Sequence, residues 1–234
     1  MKALLKTAVP ILLLSASLAY AGPLTVGSPD SGNCYPFMCN DSGTSSGVSI
    51  IYQEAYSSSA FSGPINIGSL GFGDYPQGPS TILGGNYQFY LDYSASGLAL
   101  SPNQLANFSP SSLQGFADLY VPPGGMDFGS TLVINGSAPF YYDPSQGDLL
   151  LYVLVTNQDL VPNGGGNGYN WADYTGTDVM RDYGFGGTFN GSGAVTGALD
   201  TTFYAATPEP GSLILLGTGL VGLAGSIRRK LARN

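Results

Sequence analysis

The side chains in this chain that could do chemistry are few, and most are carboxylates. Histidine is absent from all 234 residues. That removes Ser-His-Asp and Cys-His catalysis, and most catalytic zinc sites with it. Gly43-Thr44-Ser45-Ser46-Gly47 fits the Gly-x-Ser-x-Gly pattern of a nucleophile elbow. Nothing around it reads as the strand-turn-helix that an elbow needs, so the match is assigned to a Gly/Ser-rich stretch. Glycoside hydrolysis needs two facing carboxylates and survives the loss of histidine. Glu54 is the one glutamate between the terminal segments, so an aspartate would have to join it, and Asp92 is nearest by register. Both are expected to face solvent from strands.

Three further aspartates, Asp173, Asp178 and Asp182, lie within ten residues among glycines. Hard oxygen ligands of this kind suit calcium. No twelve-residue hand loop is present, so the ligands would come from separate loops. The plainer reading is an acidic solvated loop in which Arg181 pairs with one of the three. No cofactor is expected, calcium being the metal these ligands would suit. Cys34 and Cys39 are the only cysteines. A close pair in an exported chain closes a small loop as a disulfide. Four intervening residues argue against a redox pair. Sixteen tyrosines and Trp171 could stack on sugars if several lay exposed on one sheet face. In strands such residues more often pack in the core.

Two terminal segments decide where this chemistry is carried. Lys2 and Lys6 precede an apolar stretch from Ala8 to Leu18, and Ala19-Tyr20-Ala21 offers small residues before Gly22. Residues 1–21 read as a secretory signal helix cleaved after Ala21. At the other end Pro208-Glu209-Pro210 precedes 17 uncharged residues, 211–227, and a basic tail over 228–234. At about 1.5 Å per residue that run spans roughly 25 Å, the short end of a transmembrane helix. Arg228, Arg229, Lys230 and Arg233 resist translocation and would hold the tail on the cytoplasmic side. The two prolines stop the helix from running back into the preceding domain.

Removing both ends isolates the charge. Arg181 is the only basic residue between Gly22 and Thr207, against thirteen aspartates and Glu54, a net charge of −13. A nucleic-acid partner is excluded, since binding needs a basic face. Polyanions and anionic lipid are disfavoured for the same reason. Neutral sugars and divalent cations remain admissible, so polysaccharide is an acceptable partner.

The intervening sequence alternates apolar and polar residues in short runs separated by Gly, Pro and Asn. Strands are expected over 48–56, 65–72, 87–93, 113–121, 131–134, 148–156, 177–182 and 195–205. Turns are expected at 73–80, 122–125, Asn135-Gly136, 143–147 and 161–168, with one short helical turn over 101–108. Residues 22–47 read as an irregular arm carrying the Cys loop. Leu149 to Val155 is apolar on both faces, which suits a strand between two layers. No helical periodicity of ten residues occurs between the signals. The fold expected over 48–206 is therefore an all-β, antiparallel, jelly-roll-like β-sandwich.

The order of parts in the tail, residues 207–234, resembles the PEP-CTERM sorting signal of Gram-negative bacteria. The resemblance rests on Pro208, Glu209 and Pro210, the Leu/Gly-rich span 213–223, and Arg228, Arg229, Lys230 and Arg233. It implies a partner, the membrane protease-transpeptidase exosortase, which processes the tail near Pro-Glu-Pro. It also implies an inner-membrane intermediate, release to the cell surface or outside, and an exopolysaccharide or biofilm setting. The function expected is that of an exported, non-enzymatic surface or matrix protein. A carbohydrate-binding module is the second reading, and a glycoside-active enzyme the third.

Overall fold

Tyr87, Phe89 and Leu91, the clearest two-residue period in the sequence, point one way from a nine-residue strand in the computed structural model of the chain. The structure describes residues 22–39, 48–75, 81–159, 171–186, 188–189 and 195–206, with six isolated tail positions between 217 and 228. The signal segment 1–21, the Gly43–Gly47 match, the Pro-Glu-Pro motif and nearly all of the tail lie outside the described residues. Among the described residues, no helix is long and apolar enough to cross a membrane.

Every strand pair is antiparallel. A six-stranded sheet runs in the order β13 (Thr188–Phe189), β12 (Val179–Phe185), β3 (Val48–Tyr56), β10 (Leu149–Thr156), β6 (Gly85–Tyr93), β7 (Gln114–Val121). A four-stranded sheet has the order β1 (Leu24–Val26), β15 (Thr201–Ala205), β4 (Ile65–Gly73), β9 (Thr131–Tyr142). Tyr52, Tyr56, Leu91, Leu151 and Val153 of the first share one buried core with Ile67, Leu70, Leu132 and Phe203 of the second. Rings interlock across it, Phe72 with Phe89 at 6.3 Å and Tyr56 edge-on to Phe203 at 5.0 Å. Burial of these faces is the main driving force for the fold. A small sheet, β14 (Ala198–Leu199), β11 (Trp171–Tyr174) and β2 (Ser31–Asn33), joins the two through the bridge Asp74–Trp171 and the packing of β14 on β12. The remaining pair is β5 (Thr81–Ile82) with β8 (Met126–Asp127).

The double-sided strand β10 has its two layers. On its outer face Leu150 packs with Ala55, Leu100 and Phe108, so residues 94–113 form a cover over half of that face. Asn107, fully buried, fastens the cover: its amide donates to Gln53 Oε1 at 2.8 Å and Ser101 O at 3.0 Å, and its Oδ1 accepts from Ser96 and Ser101. Within the cover a 3-10 turn over Gln104–Ala106 is capped by Asn103, through a 3.3 Å bond from Leu105 N–H.

Asn135-Gly136 is not a turn, because β9 continues straight through it for twelve residues. A Cβ on Gly136 would stand 2.5 Å from the Phe116 ring, so the glycine is there for close approach. The β4–β9 register shifts between Ile67 and Ser69, and the freed stretch meets β7, with Ser137 donating to Phe116 O at 3.1 Å. The arm, expected to be irregular, contributes β1 and β2. Its loop is closed by the Cys34–Cys39 disulfide, and Phe37 enters the core against Trp171 at 4.4 Å and Phe72 at 5.2 Å.

Candidate functional site

Beyond that cover the outer sheet face holds an open groove of about 360 Å³, lined by Asn86, Tyr87, Gln88, Asp118, Leu119, Tyr120 and Thr156. Strand alternation builds it. Tyr87 and Leu119, directly paired, turn inward, so Gln88 opposite Asp118 and Asn86 opposite Tyr120 turn outward. Thr156 joins them from β10, opposite Asn86. Gln88 donates to Asp118 Oδ1 at 3.3 Å. Tyr120 is 66% exposed. Beside the groove Tyr90 stacks on Tyr152 at 5.5 Å, and Tyr152 on Phe108 at 5.6 Å, so an aromatic row leads from the cover to the groove. Burial, and then the neighbouring Asp118 charge, raise the Tyr90 phenol. Flat rings beside amide, hydroxyl and carboxylate groups can stack on the apolar face of a sugar and hydrogen-bond its hydroxyls.

The carboxylate pair Glu54 and Asp92 is not brought together, and neither faces solvent. Glu54 is 0% and Asp92 1% exposed. They project from opposite faces of the six-stranded sheet, since Glu54 lies beside Leu151 and Asp92 beside Leu150. Asp92 is a structural anchor, accepting from Tyr93 N–H at 2.8 Å and from Ser112 at 2.9 Å. Glu54 enters the core. Its Oε2 accepts from the Tyr52 hydroxyl and from Leu199 N–H at 3.2 Å, while Oε1 has no hydrogen-bond partner among the described residues. Burial pushes its carboxyl up to about 8, outweighing those bonds and the nearby Arg181. Arg181, directly across on β12, sits over the rings of Tyr35 and Tyr183 at 5.4 and 5.3 Å.

Asp173, Asp178 and Asp182 are likewise not gathered. Among the described residues no group of three acidic, cysteine or histidine side chains is placed to hold a metal. Asp173 is on β11, buried, accepting from the Ser31 hydroxyl. Asp178 precedes β12, where its main-chain carbonyl accepts from Ser57 N–H at 2.7 Å. Asp182 is one residue out of phase with Arg181 and so turns to the other side of the sheet. Burial raises Asp173 and lifts Asp182 to about 6.

Sequence reasoning missed the groove as a site. The signal was there in part: Asp118 and Tyr120 share the polar parity of β7. What no spacing gives is the register that adds Asn86, Gln88 and Thr156.

Comparison with known proteins adds one match. Residues 206–230 match the family model of the PEP-CTERM protein-sorting motif, the stretch containing Pro208, Glu209 and Pro210 and the basic cluster through Lys230. The chain carries the sorting motif of exported proteins handled by exosortase. No curated protein and no solved structure matches the chain.

Proposed function

We propose that this chain is a non-enzymatic exported protein of the cell surface or extracellular matrix that contacts polysaccharide through the tyrosine-lined groove of its six-stranded sheet. The observation that carries the reading is Tyr120, two-thirds exposed beside Gln88, Asp118, Asn86 and Thr156 in one open groove. Tyrosine joins a flat apolar ring to a polar tip, the combination enriched where protein surfaces meet ligands. The sorting motif supports the setting, outside the membrane where exopolysaccharide accumulates. It also supports a passage through the inner membrane before the tail is processed. A glycosidase built on Glu54 and Asp92 is disfavoured by their positions on opposite sheet faces, and a calcium requirement by the separation of the three aspartates.

The test is a glycan array probed with the purified exported protein. Retention of a subset of polysaccharides is expected, weakened about tenfold by Tyr120→Ala, as befits the loss of one stacking ring. Absence of any retained glycan, or unchanged retention by the Tyr120→Ala variant, contradicts the reading. Glycan cleavage that disappears in Glu54→Gln would overturn its non-enzymatic part.

A further inference from the structure

Resting on that polysaccharide reading, we infer that the polymer in the groove carries free amino groups, an amino-sugar chain whose ammonium groups are met by Asp118 and the face of Tyr120. Charge is the deciding observation. Among the described residues, Asp118 is the only charged one lining the groove. It is exposed, and it accepts one long bond from Gln88 at 3.3 Å, so it is not consumed by a structural role. Asp92, by contrast, is buried under three donors on the same face.

Among the described residues of the domain no basic side chain lines the groove to offset this field. Arg181, the one cation between the terminal segments, turns into the interior from the opposite face of the same sheet. Near the groove's end Asp159 accepts from Gly124 N–H at 2.7 Å and adds to the charge that Tyr87 feels. The whole domain, at −13, repels uronate or sulfated chains and attracts cationic ones. A neutral polymer would use the rings and amides and offer Asp118 only hydroxyl donors, with no charge to meet its own. An ammonium-bearing sugar uses all of them: its charge pairs with the carboxylate, and cations are held over tyrosine faces.

The experiment compares glucosamine oligomers with N-acetylglucosamine oligomers of the same length and linkage. Binding to the purified exported protein is measured by calorimetry at about pH 5.5, where both the sugar amine and an aspartate are charged. The free-amine oligomer is expected to bind about tenfold more tightly, the combined worth of an exposed ion pair and a cation over a ring. That preference should vanish in Asp118→Asn and in strong salt, while Tyr120→Ala weakens both oligomers. Equal binding of the two, a preference that survives Asp118→Asn, or tighter calcium-dependent binding of a polyuronate each overturns the inference and leaves the groove a polysaccharide site. Failure of every glycan to bind overturns the groove reading itself.

Discussion

Stability of the β domain is expected to fall steadily as pH rises from about 4.5 to about 8, with Glu54 as the main cause. Burial holds its carboxyl protonated in the folded protein up to about 8, against a value of 4.5 when free. The unfolded chain gives up that proton first. The contribution is therefore whole below about pH 4.5, shrinks by ~1.4 kcal/mol per unit as the pH climbs, and levels off near 8 when the folded carboxyl ionises too. The total is on the order of 5 kcal/mol, a large share of an ordinary domain's stability. Asp182 and Asp200, each raised to about 6 by burial, act in the same sense over the lower part of the range. Asp30 and Asp143, lowered by hydrogen bonds, act in the opposite sense only below 3.8, outside this range. Urea unfolding at a series of pH values measures the slope. Glu54→Gln, which keeps the shape of the neutral acid, should flatten most of it. A variant with the wild-type slope would assign the pH dependence elsewhere.

Phe37→Ala is expected to cost about 3–5 kcal/mol, the range for removing a buried ring. Phe37 has no exposed surface and touches Phe72, Tyr87, Phe89 and Trp171. Its loop is pinned from three directions: the Cys34–Cys39 disulfide, Leu83 N–H on Phe37 O at 3.1 Å, and the Gln158 amide on Pro36 O at 3.0 Å. The cavity left behind cannot collapse easily, which favours the upper part of the range. Trp171 is the only tryptophan in the chain and lies between Phe37, tilted against it, and Phe128, stacked on it. Its fluorescence reports the transition directly. A loss below about 1 kcal/mol would mean that the N-terminal arm is a loose appendage and not part of the core.

These two residues also mark where the sequence was readable and where it was not. Strands β3, β6 and β10 were legible because alternation, or an apolar run on both faces, leaves little choice of conformation. Within β3, though, both parities carry apolar residues, and a carboxylate is ordinarily outside. Glu54 therefore looked like a surface residue, when its hydroxyl partner Tyr52 and neighbour Tyr56 were the core parity. The arm looked irregular because Gly, Ser and Asn dominate it, and one phenylalanine cannot announce the depth to which a disulfide loop inserts. Asn135-Gly136 carried a hairpin signal, and only the Phe116 ring, brought over by tertiary packing, explains the glycine. The acidic group at 173–182 was close in sequence, but strand alternation and a change of sheet dispersed it. The tail was legible for the opposite reason: its meaning lies in the linear order of motif, span and arginines, which needs no fold.

The address in the tail implies that the tail itself is removed. In a host that has exosortase, intact-mass measurement of the recovered protein is expected to give a species beginning at Gly22 and lacking residues 213–234, lost near Pro208-Glu209-Pro210. Surface protein whose mass still includes the whole tail to Asn234 would refute the sorting reading.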